Sequence, residues 1–175
     1  YNYGRVENNG SEGFIIDKNS YGENGTTGVI SNFGDYGMKI MNSSYGVNNG
    51  VIENTGNTGL YISNSSKGIN NGTISLTGDN KTGVYVDNSE FVNNGNIIMN
   101  GENNTAIKAV NNSKVTIASG SVITLTNGVI TDTADYSATD FSGNGAGNTS
   151  TLGKFYDLDS TSVLVNSGLI TGNLL

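Results

Sequence analysis

Apolar residues recur along this chain at one fixed point of a repeat of 22–24 residues that glycine marks. Glycines stand at positions 4, 28, 50, 72 and 95, and a second glycine follows each of them six residues later. Two residues after the first glycine comes a β-branched residue, in the series Val6, Ile30, Ile52, Ile74, Ile97, Val122 and Ile170. A repeat of this length without a helical pattern predicts one turn of a solenoid per repeat.

Two further apolar series keep the same phase. Pairs separated by one polar or variable residue have the period of a half-buried strand: Phe14/Ile16, Met38/Ile40, Leu60/Ile62, Val84/Val86 and Ile107/Ala109. The third series lies three residues before the marker glycines: Val47, Ile69, Val92, Ile117 and Val165. Each coil is therefore predicted to hold three short strands, each contributing one aliphatic ladder.

Short strands that recur in the same order can stack only in parallel, each on its copy about 4.8 Å away along the axis. The prediction is an all-β fold, a right-handed parallel β-helix with about 22–24 residues per coil. Asn, Ser and Gly suit the turns, as in Asn48–Gly50 and Asn70–Gly72, because they accept positive φ or bond their own backbone. Stacked asparagines can also form amide ladders.

The repeat predicts one domain over residues 1–175, with regular coils at 1–130, a degenerate coil or loop insertion at 131–161 and a final partial coil at 162–175. The insertion carries five of the fifteen acidic residues: Asp132, Asp135, Asp140, Asp157 and Asp159. Solenoids often place function in such insertions, although solvated acids and aromatics that cover the local core would explain this one equally well.

Composition narrows the possible chemistry. The chain has no histidine and no cysteine, so the usual general base, thiol nucleophile and zinc ligands are missing, and we expect no enzyme, cofactor or metal site. A net charge of −7 argues against nucleic acid and anionic membranes as partners. A calcium site at Asp157 and Asp159 stays open, although the two acids supply few oxygens. A paired-carboxylate glycosidase has no visible pair.

Tyrosines supply the candidate ligand contacts. The outward residues of the second strand read Ile15, Lys39, Tyr61, Tyr85 and Lys108 along the axis, so two tyrosines stack between lysines. A second column is Tyr21, Tyr45 and Lys67. Aromatic side chains favour interfaces and sugar rings, but stacked aromatics also stabilise neighbouring strands. The predicted contact residues are Tyr136, Phe141, Phe155, Tyr156, Tyr61 and Tyr85.

The repeat itself resembles a known family. Segments such as SYGVNNGVI at 44–52, SKGINNGTI at 66–74 and TGVYVDNS at 82–89 are similar to repeats in passenger domains of large type V autotransporter adhesins of Gram-negative bacteria. The resemblance covers residues 1–125 well and 162–173 in part. It implies an extracellular stalk on the cell surface, held at the outer membrane by a C-terminal translocator outside this chain and used in adhesion and virulence.

Partners expected from this resemblance are proteins or glycans on host cells or other bacteria. We expect the chain to be a piece of a longer protein, because Tyr1 begins late in a coil and Leu175 ends before a coil closes. Open strand edges at the ends predict end-to-end self-association. The alternatives are a β-helical polysaccharide-degrading enzyme and a pure structural spacer or phage-fibre β-helix.

Overall fold

The computed structural model describes residues 1–54, 56–130, 139–142 and 154–174, which form three long sheets. Sheet 1 contains β1 (Arg5–Asn8), β4 (Val29–Asn32), β7 (Val51–Asn54), β10 (Thr73–Thr77), β13 (Asn96–Asn100), β16 (Val122–Ile130) and β20 (Leu169–Leu174). Sheet 2 contains β2 (Glu12–Ile16), β5 (Tyr36–Ile40), β8 (Thr58–Ser63), β11 (Thr82–Asp87), β14 (Thr105–Val110) and β18 (Lys154–Leu158). Sheet 3 contains β3 (Tyr21–Asn24), β6 (Tyr45–Asn48), β9 (Lys67–Asn70), β12 (Glu90–Asn93), β15 (Lys114–Ile117), β19 (Val163–Asn166) and β17 (Thr139–Ser142).

Every strand except β17 pairs in parallel with its copy one coil away. Arg5 lies beside Val29, Val29 beside Val51, Val51 beside Thr73 and Thr73 beside Asn96, which gives offsets of 24, 22, 22 and 23 residues. One strand from each sheet makes a coil, so coil 1 is β1, β2 and β3, and coil 6 is β16, β18 and β19. The prediction of an all-β parallel β-solenoid is confirmed. Its right-handed sense stays a prediction.

Apolar side chains of sheets 1 and 2 fill the interior as the sequence predicts. The sheet 1 ladder consists of Ile30, Ile52, Ile74, Ile97, Ile123 and Ile170, all buried. Sheet 2 contributes Ile16, Met38, Ile40, Leu60, Ile62, Val84, Val86, Ile107 and Ala109. One position differs from the prediction: Ile123 pairs with Ile97 and points inward, whereas Val122 lies beside Asn96.

Sheet 3 corrects the predicted third ladder. The column of Val47, Ile69, Val92, Thr116 and Val165 alternates with the inward residues, and Val165 is 37% exposed. The inward positions hold fully buried asparagines instead, each donating its amide to the next: Asn24 to Asn48 (2.7 Å), Asn48 to Asn70 (2.8 Å) and Asn70 to Asn93 (2.7 Å). Of the two residues predicted to point inward in coils 5 and 6, Ile117 and Val165, only Ile117 is buried. Hydrogen bonding between the amides permits this burial.

Serines form a second polar ladder at the corner between sheets 2 and 3. The backbone N–H of Ser44 donates to Ser66 Oγ (3.1 Å), and that of Ser66 donates to Ser89 Oγ (3.1 Å). The residues just before these serines, such as Asn42 and Asn64, have φ near +57°, which asparagine tolerates. The predicted Asn and Ser turns are therefore present, and their side chains also bond the coils to each other.

Residues 131–161, predicted to be a degenerate coil or insertion, contain regular structure at their C-terminal end. Strand β18 pairs in parallel with β14, with Tyr156 beside Ile107 and Leu158 beside Ala109. Regular stacking therefore resumes at Lys154. In this strand the aromatic residues Phe155 and Tyr156 occupy buried positions that hold small or aliphatic residues in the other coils. Strand β17 lies antiparallel to β19 on the outer edge of sheet 3.

Candidate functional site

Three tyrosines and two lysines form a surface on sheet 2, here named the tyrosine face: Tyr36, Lys39, Tyr61, Tyr85 and Lys108. The parallel register places Lys39 beside Tyr61, Tyr61 beside Tyr85 and Tyr85 beside Lys108. The column predicted from the sequence is therefore confirmed as a row of neighbours on consecutive coils. Whether it contacts a ligand stays a prediction.

Tyr36 belongs to this surface although the sequence did not single it out. It pairs with Thr58, not with Tyr61, but its ring reaches Tyr61 with centroids 4.9 Å apart. Three consecutive residues, Thr58, Gly59 and Leu60, are buried, so the simple alternation of inward and outward residues fails there. A Cβ on Gly59 would lie 2.8 Å from the carbonyl oxygen of Gly83, so the close approach of the coils requires glycine.

The rings stack closely along the axis. Tyr61 and Tyr85 are nearly parallel, with centroids 5.3 Å apart and planes 11° apart. Lys39 Nζ lies 4.8 Å from the Tyr36 centroid and 5.9 Å from that of Tyr61, and Lys108 Nζ lies 5.4 Å from that of Tyr85. Because tyrosine or lysine covers these ring faces, a ligand meets mainly ring edges and hydroxyl groups.

Charge around the tyrosine face is partly compensated. Lys39 Nζ forms a 3.0 Å ion pair with Glu12 Oε1, and both side chains are largely buried. Burial, with a smaller contribution from Asp87, raises the pKa of the Tyr85 hydroxyl above its ordinary value. The phenol therefore remains a neutral hydrogen-bond donor at physiological pH.

A shallow groove of about 350 Å³ runs along this surface. Its walls are Tyr36, Thr58, Tyr61, Thr82, Tyr85 and Lys108. Within the ranges the structure describes, the hydroxyl groups of the three tyrosines donate no hydrogen bond to the protein. They are positioned by the stack and remain available to a ligand.

The second tyrosine column differs in exposure and in hydrogen bonding. Tyr21 and Tyr45 are 47% and 36% exposed, and their centroids lie 5.5 Å apart. The Tyr21 hydroxyl donates to Glu23 Oε2 (2.9 Å), which raises the pKa of Tyr21 to about 12. Tyr1 continues this column at 5.7 Å from Tyr21. Tyr21 and Tyr45 are confirmed as neighbouring rings with 31° between their planes, and among the described residues no lysine lies over them.

Two of the four contact residues predicted in 131–161, Phe155 and Tyr156, are buried. Phe155 and Tyr156 are 0% exposed, because β18 continues the inward ladder of sheet 2. They are core residues, which corrects the prediction that they contact a ligand. Phe141 lies in β17, of which the backbone alone is described, and Tyr136 lies outside the described residues.

Two acids of this segment, Asp157 and Asp159, bond to other groups of the protein. Asp157 Oδ1 lies 3.5 Å from Lys154 Nζ, whereas the Asp159 carboxylate accepts the backbone N–H groups of Asn111 (2.7 Å) and Thr161 (3.0 Å). In the described ranges, no three acidic side chains gather as metal ligands would. Asp140 lies in β17, and Asp132 and Asp135 are outside these ranges.

Comparison with known proteins gives no relative. No protein-family model matches the chain, and no curated protein or solved structure matches it. Among the residues that the structure describes, none forms a helix long and apolar enough to cross a membrane. The interpretation of function therefore depends on the repeat sequence, the solenoid and the tyrosine face.

Proposed function

We propose that this chain is an extracellular segment of a bacterial surface adhesin of the autotransporter type, which supports attachment to host cells or other bacteria. The observation that carries the proposal is a row of three tyrosine rings in contact on consecutive coils, on one side of a parallel solenoid, with Tyr36 tilted against Tyr61 and Tyr61 stacked on Tyr85. Tyrosine is enriched among the residues that dominate binding energy at interfaces. The likeness of the repeats to adhesin passenger domains supports the same function.

In this proposal the solenoid is displayed at the cell surface, with an outer-membrane translocator elsewhere in a longer protein. Each coil contacts only its neighbours, so adding coils lengthens the structure without a change of fold. The tyrosine face then lies parallel to the long axis, where a partner can approach it from the side. The partner is a surface protein or glycan of the target cell.

Attachment of the purified chain to epithelial cells and to bacteria tests this proposal. We expect Tyr36→Ser/Tyr61→Ser/Tyr85→Ser to reduce attachment at least about tenfold, because it removes three aromatic anchors. Tyr21→Ser/Tyr45→Ser is the matched control and should leave attachment near the parent level. Circular dichroism of all variants checks that the solenoid is retained.

Two outcomes favour the alternatives. Equal attachment of the parent and the triple variant would indicate a spacer that holds another part of the protein away from the membrane. Release of oligosaccharides from pectin, hyaluronan or peptidoglycan fragments would indicate a polysaccharide-degrading enzyme. End-to-end self-association stays a separate prediction, which light scattering over a concentration series measures; strand β17 already pairs with one sheet edge.

A further inference from the structure

We infer that the groove of the tyrosine face binds a linear glycan that lies along the solenoid axis across coils 2 to 5. This inference rests on the proposed adhesive function and specifies the ligand class. The groove offers a repeated set of phenol and threonine hydroxyls, with the Lys108 ammonium at one end. Both the chemistry and the spacing of these groups favour sugar over peptide.

Spacing is the first argument. Equivalent side chains on neighbouring coils are one strand spacing apart, about 4.8 Å. A pyranose ring in an extended chain advances the polymer by nearly this distance, so successive sugars meet Tyr61, Tyr85 and Lys108, which occupy equivalent positions on consecutive coils, while Tyr36 lies in the neighbouring column beside Thr58. An extended peptide advances about 3.3 Å per residue and repeats a side-chain direction after about 6.6 Å, so it falls out of step with the coils.

Lining chemistry is the second argument. The groove lacks the aliphatic anchor pockets that peptide side chains fill, and none of its six lining residues is acidic. The hydroxyls of Tyr36, Tyr61 and Tyr85 have no hydrogen-bond partner in the described protein, whereas the Tyr21 hydroxyl in the other column is bonded to Glu23. Hydroxyls that both donate and accept suit the alternating hydroxyl groups of a sugar.

The ring geometry sets the mode of contact. Because Tyr61 and Tyr85 stack on each other and lysines cover the outer faces, a sugar cannot insert flat between rings. It lies across the ring edges and bonds to the phenol hydroxyls. Lys39 is paired with Glu12. Lys108 lies beside Asp157 in the register but forms no ion pair among the described residues, so it is the cation that bonds a sugar oxygen or a uronic acid carboxylate.

An immobilised array of linear oligosaccharides, neutral and uronic-acid-containing, from two to six sugars, tests the inference with the intact chain. Extended peptides of the same contour length form the second arm. Affinity should rise with length and level off at about four sugars, because the groove spans four coils. Peptides should bind at least about tenfold more weakly than the tetrasaccharides.

Tyr36→Phe/Tyr61→Phe/Tyr85→Phe removes three hydroxyls and keeps the ring stack. We expect glycan affinity to fall at least about tenfold with little change in the melting midpoint, whereas Tyr21→Phe/Tyr45→Phe leaves affinity unchanged. Lys108→Met should remove any preference for uronic-acid chains over neutral ones. Both phenylalanine variants remove phenol hydroxyls, three from the groove and two from the other column, so a loss of affinity in the first variant alone reports on the groove.

The inference is overturned if no oligosaccharide binds more tightly than about 1 mM, if the peptides bind better, or if the triple phenylalanine variant binds like the parent. Periodate oxidation of the target cells separates this failure from failure of the proposed function. Attachment that survives periodate and still requires the tyrosines would leave the adhesive function in place with a protein partner. Loss of attachment after periodate is the result that we expect.

Discussion

Coils 1 to 3 and the coils from coil 4 onward fill the interior of the solenoid with different residues. In coils 1 to 3 the inward position of sheet 3 is glycine, and the facing position of sheet 2 is isoleucine: Gly22/Ile16, Gly46/Ile40 and Gly68/Ile62. From coil 4 upward the sheet 3 residue is large, and the facing residue is smaller in coils 4 and 5: Phe91/Val86, Val115/Ala109 and Leu164/Leu158. In coils 1 to 5 a larger residue in sheet 3 is therefore accompanied by a smaller residue in sheet 2, so that the two positions compensate each other in part.

The buried polar residues of sheet 3 change at nearly the same point along the solenoid axis. The asparagine ladder runs from Asn24 to Asn93 and is replaced by Ile117 in coil 5, where the register pairs Asn93 with Ile117. Asn93 then donates to the carbonyl oxygen of Gly95 (2.9 Å) instead. Hydrogen bonds between layers and apolar contacts are thus interchangeable at this position, provided that each amide has a partner.

We expect the largest effect from truncating Phe91, the aromatic residue of coil 4 at which larger side chains replace glycine in sheet 3. Phe91→Ala should lower the free energy of unfolding by about 3–5 kcal/mol, because Phe91 is fully buried and the truncation leaves a cavity. Adding Val86→Ile, which copies the facing residue of coil 3, should recover part of the loss. Urea denaturation of both variants measures this, and an additive result would contradict volume exchange within the layer.

Breaking the asparagine ladder should cost less. Asn70→Ala removes one donor and one acceptor from a fully buried chain of amides, and we expect a loss of about 1–3 kcal/mol. Asn71→Ala is the matched control: its amide donates to Asn49 on the exposed side, and its loss should stay within about 0.5 kcal/mol. Equal effects of the two variants would mean that burial of the ladder does not matter.

Overfilling the lower half should have a smaller, correctable effect. A Cβ on Gly46 would overlap the Cδ1 end of Ile40, so Gly46→Ala should lower the free energy of unfolding by about 1–2 kcal/mol. Gly46→Ala/Ile40→Val shortens the facing side chain and should restore most of the stability. Thermal melts of the single and double variants measure the recovery. A double variant that loses more stability than the two single variants lose together would refute the compensation.

The smallest expected effect concerns the corner of coil 6 and depends on pH. Backbone N–H groups of Asn111 and Thr161 hold the pKa of Asp159 well below its ordinary value of 3.8. A lowered pKa in the folded state stabilises the fold above the ordinary value, and this contribution is lost as the pH falls below about 4. Asp159→Asn should flatten the decline of the melting midpoint in that range.

Asp79→Asn is the control for this pH effect. The Asp79 carboxylate accepts one backbone N–H, from Glu102 at 2.8 Å, at another corner of the solenoid. The Asp79→Asn variant should leave the decline of the melting midpoint at acidic pH close to that of the parent. An Asp159→Asn profile identical to the parent would remove Asp159 from the explanation.

The sequence was sufficient for the repeat, the parallel stacking and the outward columns, because glycine spacing and strand alternation report directly on these features. The prediction of which sheet 3 side chains point into the interior was wrong. Valine and isoleucine at Val47, Ile69 and Val92 suggested an inward ladder, but only Val47 of these three is buried (8% exposed), whereas Asn48 and Asn70 are fully buried. Single-residue hydrophobicity cannot show that stacked amides satisfy one another one coil away.

The candidate site was predicted in part for similar reasons. Tyr61 and Tyr85 share one column, but Tyr36 lies in the neighbouring column and reaches Tyr61 from there, at a point where the alternation of buried and outward residues breaks. Phe155 and Tyr156 were expected at the surface because coil 6 lacks the glycine and aliphatic pattern of its neighbours. Their burial follows from the pairing of β18 with β14, which depends on residues nearly fifty positions earlier.

The register between neighbouring coils can be measured directly, since the chain has no cysteine of its own. Ser75 lies beside Ile98, and both are half-buried on the outer side of sheet 1. Oxidised Ser75→Cys/Ile98→Cys should form an intramolecular disulfide, because in-register neighbours lie within its Cα range. Ser75→Cys/Thr124→Cys, two coils and about 9.6 Å apart, should remain reduced. A disulfide in the second pair, or none in the first, would contradict the parallel stack on which the tyrosine face depends.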